Sequence, residues 1–572
     1  MSENILAVTS FIELSARERV KEILDSGTFR EILDPFQRLE SPHLESLGII
    51  PQSDDGVVIG RGKIDREPAV VIAIEGAFQG GGIGEVSGAK IAGALELALR
   101  DNENGIRTRA VLVLETGGVR LQEGNYGLLA IAEIGAAIVA LRRYVPVVCV
   151  IPGMIGCFGG MSICASLCSD IIMTRQGRLS LNGPEVIEME AGVVELDSRD
   201  RERIWKSVGG EQRCSTDFAD ILVEDDLFSI KQSIYEVFER GLTDNHRCSQ
   251  VNQYLAMLGS IDSSKLTLDG PTLRRDWNQY FNKENISLES IRSAYVDIPI
   301  EREESRGRTW IEALMQTREV TDVTVPSVLC SDSVLDDERV RYISVVPNSS
   351  SRFYRARNGE VGLEEGWMVA KYVREAVEED ADSETKRAII AIVDVPSQAY
   401  GFHEELLGVN LSCAAALDAY ATARLEGHPV ITLIVGNAIS GAFLAHGLQS
   451  NRIIALDDPG VMVQVMSKKS AARVTRRTIA ELEEAAKKVP ATAYDIGSFT
   501  TLGAVNRVLE GIDADSPNEN DVANVSNELV NEIKTARASS TRDLRHRLHS
   551  EEAQANRKAS IKVREKVKEQ WN

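Results

Sequence analysis

Short apolar runs alternate with longer Ala- and Leu-rich segments along most of the chain. The runs AVVIAI (69–74), AVLVL (110–114) and VVCVI (147–151) have the length and the β-branched content of buried strands. Between the last two, GLLAIAEIGAAIVALRR (127–143) has the length and composition of a largely buried helix. Strands that alternate with helices in this way are typical of an α/β fold with a mostly parallel sheet.

The pattern occurs twice along the chain. PVVCVIPGMIGCFGGMSICASLCSDIIM (146–173) is similar to PVITLIVGNAISGAFLAHGLQSNRIIAL (429–456). Each copy has a Pro, an apolar run, a turn with a pair of small residues, a small-residue helical segment and a second apolar run. The small pairs are Gly159–Gly160 in the first copy and Gly441–Ala442 in the second. This internal repeat predicts two similar α/β domains in tandem.

The domain limits follow from composition. We predict a first domain at 1–258, a polar linker without strand–helix rhythm at 259–305, and a second domain at 306–535. The remaining residues, 536–572, are charged and helix-prone, and we expect a solvated packing helix there because its apolar face is thin.

Charge and composition narrow the class of protein. The 572 residues have a net charge of −22, which argues against nucleic-acid binding, because contacts to phosphates need Lys and Arg. The N-terminus lacks the pattern of a secretory leader, and long apolar runs are interrupted by charge or Gly, so we expect no membrane-spanning helix. We therefore expect a cytoplasmic protein.

Three of the eight cysteines, Cys157, Cys164 and Cys168, lie around the first small pair. Their spacing suggests no disulfide framework. The chain has no C-x-x-C pair, and none of its seven histidines lies near these cysteines in sequence, so a zinc site is not predicted. We expect buried, unreactive thiols.

The small pairs are the candidate chemistry. A strand that turns through glycine into a helix leaves N–H groups unpaired at the positive end of the helix dipole. Such a turn suits a carbonyl oxygen that gains negative charge. Two other kinds of site are not predicted. A phosphate-binding loop is excluded because GAFQGGGIGE (76–85) lacks G-K-[ST], and a serine nucleophile is excluded because neither Ser162 nor Ser440 lies in G-x-S-x-G.

Several motifs resemble one enzyme family. GGVRLQEG (117–124), GCFGG (156–160) and the pair Gly441–Ala442 resemble motifs of acyl-CoA carboxyltransferases. IEGAFQGGGIGEVSGAKIAGALE (74–96) resembles the β subunit of malonate decarboxylase. Three further segments resemble its γ subunit: RARNGEVGLEEGW (355–367), VDVPSQAYG (393–401) and ALDDPGVMV (455–463). The resemblance identifies the linker as the place where two subunits would be fused.

The resemblance implies two crotonase-like (ββα-superhelix) domains and a malonyl thioester substrate on a phosphopantetheine-type (CoA-like) arm. It implies an acyl-carrier protein subunit and an acyl-carrier-protein transferase subunit as partners, no covalently bound cofactor and no metal. A homodimer is also expected, because sites in this family form between a first-type and a second-type domain that often belong to different protomers. Gln464 stands where the γ subunit more often has His, so the role of that position is open.

The site residues follow from the same resemblance. The oxyanion turns would be Gly159–Gly160, facing the thioester oxygen, and Gly441–Ala442, facing the carboxylate that leaves as CO2. The expected substrate-binding residues are Gly81, Gly82, Gly117, Gly118, Arg120, Ser162, Lys468, Lys469 and Arg473. The last three belong to KKSAARVTRR (468–477), a basic segment in an acidic chain that would meet the carrier subunit or simply be a solvated helix face.

Three questions stay open at this level. The enolate needs a proton, and Ser162, Tyr400, His403 and Glu404 are all candidate sources. Transfer of the carboxyl group to a biotin carrier protein is the alternative reaction on the same fold. A hydratase or isomerase, for which Glu123 is the visible acid, and a non-catalytic scaffold are further alternatives, because fold alone does not settle function.

Overall fold

The computed structural model describes residues 8–261, 268–281, 291, 295, 302–315 and 324–572. Each half of the chain forms one seven-stranded sheet covered by helices. In both sheets an antiparallel hairpin comes first and the later strands run parallel. This repeated order confirms the predicted α/β class with two similar crotonase-like halves.

The first sheet has the strand order β1 to β7. Its strands are β1 (Arg30–Ile32), β2 (Val57–Ile64), β3 (Glu67–Ile74), β4 (Arg109–Val113), β5 (Val147–Ile151), β6 (Asp170–Thr174) and β7 (Ile221–Val223). Its helices are α1 (Ala16–Ile23), α2 (Glu85–Glu103), α3 (Gly124–Leu141), α4 (Gly160–Leu167), α5 (Pro184–Ala191), α6 (Arg201–Val208), α7 (Gly210–Ser215) and α8 (Leu227–Arg240).

The second sheet has the order β14-β12-β11-β10-β9-β8, and β13 pairs with β11. Its strands are β8 (Val328–Leu335), β9 (Glu338–Val345), β10 (Ala388–Val395), β11 (Val430–Ile439), β12 (Arg452–Leu456), β13 (Met462–Gln464) and β14 (Arg507–Leu509). Its helices are α11 (Arg306–Met315), α12 (Leu363–Glu379), α13 (Phe402–Leu406), α14 (Val409–Leu425), α15 (Ser440–Ala445), α16 (Lys468–Thr475), α17 (Ile479–Lys488), α18 (Ile496–Thr500) and α19 (Glu519–Ala538).

The described part of the predicted linker is helical. The helix α9 (Val251–Ser260) runs across the predicted boundary at residue 258, and α10 (Gly270–Phe281) follows it. Trp277 of α10 is only 3% exposed, and its ring packs edge-on against Phe218 of the first domain at 5.5 Å. The buried aromatic ring therefore anchors α10 on the first domain, within the segment that its polar composition predicts to be a linker.

The C-terminal segment is anchored on the first domain. After α19, the helices α20 (Glu551–Asn556) and α21 (Lys558–Glu569) lead to Trp571, which is fully buried and donates to Asp101 Oδ2 at 2.9 Å. Arg557 forms two hydrogen bonds with Glu133 of α3, at 2.8 and 3.1 Å. Buried ion pairs and one large aromatic side chain therefore anchor this charged segment, for which the sequence predicts a solvated packing helix.

The two domains share one apolar core. The largest cluster of buried hydrophobic residues contains side chains of α3 and α4 together with side chains of α14 from the second domain. Across this interface, Asn410 Nδ2 donates to Ser166 Oγ at 2.9 Å. By length and composition α3 passes for a membrane span, but 94% of it is buried inside the protein, which is the environment of a core helix.

A carboxylate of the second domain binds the backbone of the first. Glu405 of α13 accepts the N–H of Leu181 at 2.9 Å and the N–H of Asn182 at 2.6 Å. It also accepts the Asn182 side-chain amide at 2.8 Å. Burial raises the pKa of Glu405 to about 7, although the nearby Arg213 acts in the opposite direction. The three N–H donors replace much of the hydration that this side chain loses.

We expect Glu405→Gln to weaken the docking of the two domains. The new amide nitrogen would replace one acceptor oxygen and face an N–H donor, which costs about 1–3 kcal/mol. Urea unfolding of the full chain measures the change. The matched control is Glu404→Gln, since Glu404 is also buried, with its pKa raised to about 7 by burial. Equal stability losses in the two variants would contradict the role given to Glu405.

Candidate functional site

The loop before the first small pair is shaped by a buried carboxylate. Glu115, just after β4, is 1% exposed. It accepts the N–H groups of four successive residues, 153–156, at 2.5–3.0 Å. These charge-assisted hydrogen bonds fix the path of the chain from β5 to the turn.

The turn itself requires glycine. Gly159 has φ 61° and ψ −152°, and a Cβ there would lie 2.8 Å from the Gly118 Cα. Both the conformation and the close approach exclude a side chain. The Gly159 N–H donates to the Leu181 carbonyl at 2.9 Å, so it is already used. Gly160 begins α4, and within the described residues no acceptor meets its N–H. The open donor of this turn is therefore Gly160.

The second turn is similar but differs at one position. Ser440, the first residue of α15 directly after β11, has φ 60°. A non-glycine residue in this region stores strain of the kind often found at functional sites. The residue with positive φ is Gly159 in the first turn and Ser440 in the second, so the backbone conformation aligns Gly160 with Gly441. The sequence repeat instead aligned Gly159 with Gly441, which is a difference of one residue.

The N–H of Gly441 also has a partner. It donates to the side-chain oxygen of Gln398 at 3.1 Å. The Gln398 amide in turn donates to Asn182 Oδ1 at 2.8 Å. Asn182 belongs to the loop held by Glu405, so the second turn is linked to the first domain through side chains.

Both turns border a cleft between the domains that has two connected chambers. The turn chamber, with a volume of about 420 Å³, has these among its lining residues: Gly117, Phe158, Gly159, Gly160, Arg178, Leu181, Asn182, Glu185, Gln398, Tyr400, Ser440 and Met466. The side chamber, of about 390 Å³, is lined among others by Leu47, Gln79, Gly82, Arg120, Gln122, Gln464, Arg477 and Tyr494. Gly80, Gly117, Val119, Leu121, Val465 and Val474 line both chambers.

The predicted substrate-binding glycines divide into two groups. Gly117 borders both chambers and Gly82 the side chamber. Gly81 and Gly118 lie behind the walls instead. A Cβ on Gly81 would lie 1.9 Å from the Glu115 carbonyl oxygen, and one on Gly118 would lie 3.1 Å from the Gly159 Cα. These two glycines allow close backbone packing beneath the site.

The predicted polar residues also differ in placement. Ser162 is fully buried in α4, and its hydroxyl donates to the Gly159 carbonyl at 2.7 Å. Arg120 lines the side chamber between Asp55 and Glu123, at 2.7 and 2.6 Å. Glu123 is thereby engaged in a buried ion pair, which leaves it poorly placed as the acid of a hydratase.

The basic segment forms α16. Arg473 extends to Glu190 of α5 at 3.5 Å, and its side chain is 52% exposed. Lys468 lies 3.3 Å from Glu483, and its side chain is 39% exposed. Lys469 is exposed as well. These three side chains lie outside the chambers, whereas Val474 and Thr475 of the same helix line the cleft.

The four candidate proton sources occupy different places. Tyr400 lines the turn chamber. His403 lines a separate pocket with Arg203 and Leu268. Ser162 and Glu404 are buried and border neither chamber. Of the four candidate proton sources, which the sequence did not rank, Tyr400 is therefore the one that borders the turn chamber.

Asn182, Gln398 and Ser440 border the turn chamber and were not predicted as site residues. Gln398 lies within the γ-subunit-like motif VDVPSQAYG, which offered a signal for it. No sequence signal pointed to Asn182, because its hydrogen-bond partners are more than two hundred positions away in sequence. Ser440 was considered only as a nucleophile.

Gln464 lies at the end of β13 and lines the side chamber. Its side-chain nitrogen donates to the Ala493 carbonyl at 2.9 Å, and its side-chain oxygen accepts the Val465 N–H at 2.8 Å. Both hydrogen-bonding groups therefore support local backbone beside the cleft.

The cysteines around the first turn pack as predicted. Cys157, Cys164 and Cys168 are free and fully buried. Burial raises the pKa of Cys157 and of Cys164 well above the ordinary thiol value. Within the described ranges, no group of three or more His, Cys, Asp or Glu side chains is arranged to hold a metal ion.

Two protein families match the chain, one in each half. The carboxyl transferase domain matches residues 13–230, and the malonate decarboxylase γ subunit matches residues 356–571. A Pseudomonas malonate decarboxylase hetero-tetramer, solved in complex with malonate, contains a chain with 59% sequence identity, a TM-score of 0.47 and coverage of 47% of this chain and 98% of that one.

Two curated relatives come from Malonomonas rubra. The malonyl-S-ACP:biotin-protein carboxyltransferase MADC is 39% identical over 269 residues, which cover 45% of this chain and 85% of the relative. The corresponding MADD is 40% identical over 167 residues, which cover 29% of this chain and 57% of the relative. Together with the two domain matches, these relatives show that the chain is an enzyme of the malonate decarboxylase family in which β-type carboxyl transferase and γ-type domains are fused.

Proposed function

We propose that this chain decarboxylates a malonyl thioester carried on an acyl-carrier subunit, giving the acetyl thioester and CO2. The observation that carries the proposal is the turn chamber, a cavity built by both domains and lined by Gly160, whose N–H has no acceptor among the described residues. Loss of CO2 leaves an enolate, and its oxygen gains the charge that such a donor stabilises.

The first-domain turn would hold the thioester oxygen. Gly159 shapes the turn through its hydrogen bond to Leu181, and Gly160 supplies the N–H. The positive end of the α4 dipole adds to the field at the same point. A preorganised donor of this kind contributes about 3 kcal/mol of transition-state stabilisation.

The second-domain turn would face the departing carboxylate. Ser440 lines the chamber, whereas Ala442 is fully buried behind it. The Gly441 N–H becomes available only when the Gln398 oxygen is displaced. Because that bond is intact, we assign the contact with the carboxylate to the Ser440 hydroxyl rather than to the Gly441 N–H.

The apolar part of the chamber favours loss of charge at the carboxylate. Phe158, Leu181, Val465 and Met466 line the same cavity. A carboxylate is poorly solvated in such surroundings, and its conversion into neutral CO2 relieves that cost. The proposed steps use backbone donors and call for no metal and no covalently bound cofactor.

The second candidate is transfer of the carboxyl group to a biotin carrier protein. It is favoured by the names of the two Malonomonas rubra relatives, both of which are biotin-protein carboxyltransferases. Both reactions pass through the same thioester enolate. They differ in what receives the carboxyl group.

Release of CO2 by the purified full chain tests the two candidates. The substrate is the malonyl thioester of the carrier protein, assayed with and without avidin and with and without a biotinyl protein. We expect CO2 release that avidin leaves unchanged. Transfer of a radiolabelled carboxyl group from the malonyl thioester to the biotinyl protein, blocked by avidin and without CO2 release, would establish the transferase instead. Neither CO2 release nor labelled biotinyl protein under any of these conditions would refute both.

We expect Gly160→Pro to lower kcat for decarboxylation about 100-fold, because it removes one oxyanion donor. Proline is tolerated at the first position of a helix, so α4 should persist. A Cβ at this position would lie 2.9 Å from atoms of Ile131 and Leu444, so crowding must be controlled. Gly160→Ala adds that Cβ and keeps the N–H. If both variants lose the same activity, crowding and not the donor is responsible.

A carrier subunit would approach the rim formed by α16. Relatives occur in a malonate decarboxylase hetero-tetramer, which supports a complex of several subunits. We propose as partners an acidic acyl-carrier subunit, the transferase that loads it, and a second copy of this chain. The exposed cations of α16 suit the first of these, because complementary charge steers association.

We expect charge reversal at Lys468, Lys469 and Arg473 to raise the KM for the carrier-bound substrate about tenfold, with little change in kcat. The rise should shrink as salt is added. The matched control reverses Lys558, Lys562 and Lys568, which are exposed on the remote α21. An unchanged KM in the α16 variant, or an equal rise in the control, would rule out α16 as the docking surface.

A further inference from the structure

The enolate left by loss of CO2 must take a proton at carbon, and few groups on the chamber wall can give one. Within the part of the chain that the structure describes, the polar side chains with such protons at the turn chamber are Arg178, Glu185, Tyr400 and Ser440. Arg178 is a guanidinium held by the Ile155 carbonyl, and arginine does not give up its proton in proteins.

Two of the remaining three groups are poorly suited. Glu185 is exposed, and a carboxylate would repel an enolate. Ser440 carries an alcohol, which is a far weaker acid than a phenol. Tyr400 carries a phenol, the stronger acid of the two.

The hydrogen bonds around Gln398 fix the orientation of its amide. Its oxygen accepts the Gly441 N–H, and a backbone N–H can only donate. At the other end, the Asn182 nitrogen donates to the Ala399 carbonyl and to Glu405, so the Asn182 oxygen must be the acceptor. The Gln398 nitrogen therefore faces Asn182, at 2.8 Å.

Gln398 and Tyr400 line the same turn chamber. With its oxygen on Gly441 and one amide hydrogen on Asn182, Gln398 has only the second hydrogen of its amide nitrogen left to offer. A neighbour that can only donate does not compete for the phenol hydrogen of Tyr400, which stays free for an acceptor in the chamber.

We propose that Tyr400 is the catalytic acid that protonates the enolate carbon, and that Gln398 and Asn182 are residues that position it. The proposal rests on the function proposed above. It assigns a proton donor among four candidates that the sequence did not separate.

The step balances in atoms and charge. The bond between C2 and the carboxyl carbon breaks, its electron pair enters the enolate, and CO2 leaves. The enolate then forms a C–H bond with the phenol proton, which restores the thioester carbonyl and leaves a Tyr400 phenolate. Water returns the proton to Tyr400 before the next turnover.

The environment keeps Tyr400 in its protonated form. Burial and the nearby Glu190 raise the pKa of Tyr400 above the ordinary value, and the amide of Gln398 acts in the opposite direction. A thioester enolate carbon is a much stronger base than a phenolate, so transfer to it is still downhill.

The test uses Tyr400→Phe in the full chain, with two readouts. The first is steady-state CO2 release from malonyl-pantetheine. The second is exchange of the acetyl-pantetheine methyl protons in D2O, followed by proton NMR. We expect kcat and the exchange rate to fall about 100-fold, the scale of general acid–base catalysis, with KM within about twofold of the parent.

Two further variants separate a chemical role from a structural one. Tyr342→Phe is the matched control, because Tyr342 is buried in the second domain and its hydroxyl lacks a hydrogen-bond partner in the described structure. It should match the parent in both readouts. Gln398→Glu keeps an acceptor for Gly441 but offers Tyr400 a second acceptor, which draws the phenol proton away. We expect the same loss of kcat and of exchange although Tyr400 is present.

The outcomes distinguish the two proposals. If the parent releases CO2 and Tyr400→Phe exchanges methyl protons and turns over at the parental rate, Tyr400 is not the acid and the proposed function still stands. If Tyr400→Phe only raises KM, Tyr400 is a binding residue and the proposal is overturned. If the parent releases no CO2 from malonyl-pantetheine or from the malonyl thioester of the carrier protein, the proposed function and the Tyr400 assignment fall together.

Discussion

Three N–H groups of the first domain converge on one carboxylate of the second, that of Glu405. The loop held in this way includes Leu181, whose carbonyl takes the N–H of Gly159. With that N–H occupied, the N–H of the turn that is left without an acceptor among the described residues is the next one, that of Gly160, which borders the cleft. A carboxylate in one domain thus holds the loop against which the first small-residue turn of the other is fixed, which ties the candidate site to the docking of the two domains.

The two halves contain similar turns that differ in whether the N–H at the start of the helix has an acceptor among the described residues. In each, an acid at or just after the end of a central strand accepts backbone N–H groups before the turn: Glu115 accepts four in the loop after β5, and Asp394 accepts that of Asn437 in β11. In each, a left-handed residue follows and a helix begins. The first turn leaves its helical N–H open, whereas Gln398 covers the second. The repeat supplies two similar scaffolds, and one added side chain makes them chemically unequal.

How much of this could be predicted from sequence depends on the range of the interaction. The apolar runs, the repeat and the small pair at Gly159–Gly160 are local signals, and they gave the fold and one wall of the site. The register of the second turn was displaced by one residue, because a strained Ser440 takes the place that glycine takes in the first. Composition did not show how the tail and the described part of the linker are anchored, since that depends on single buried aromatic residues, Trp571 and Trp277.

The contacts that complete the site lie beyond local signals altogether. Asn182 and Gln398 are 216 positions apart, and neither has a spacing that points to the other. Gly81 and Gly118 belong to the family motifs yet lie behind the cleft, because close packing of backbones demands glycine as strictly as a ligand does. A motif therefore marks the region of a site more reliably than it separates the residues that line it from those that support it.

Proton transfer decides what becomes of the enolate. Before protonation, the carbanion carbon and the released CO2 share one cleft, and the bond between them can form again. After protonation, the carbon has no electron pair to offer and CO2 can only leave. On the proposed function, a proton donor fixed on the chamber wall would therefore commit the chain to decarboxylation, whereas a transferase would first have to move the carboxyl group to its acceptor. The side chamber shares six lining residues with the turn chamber, so proton and acceptor would compete within one continuous cavity.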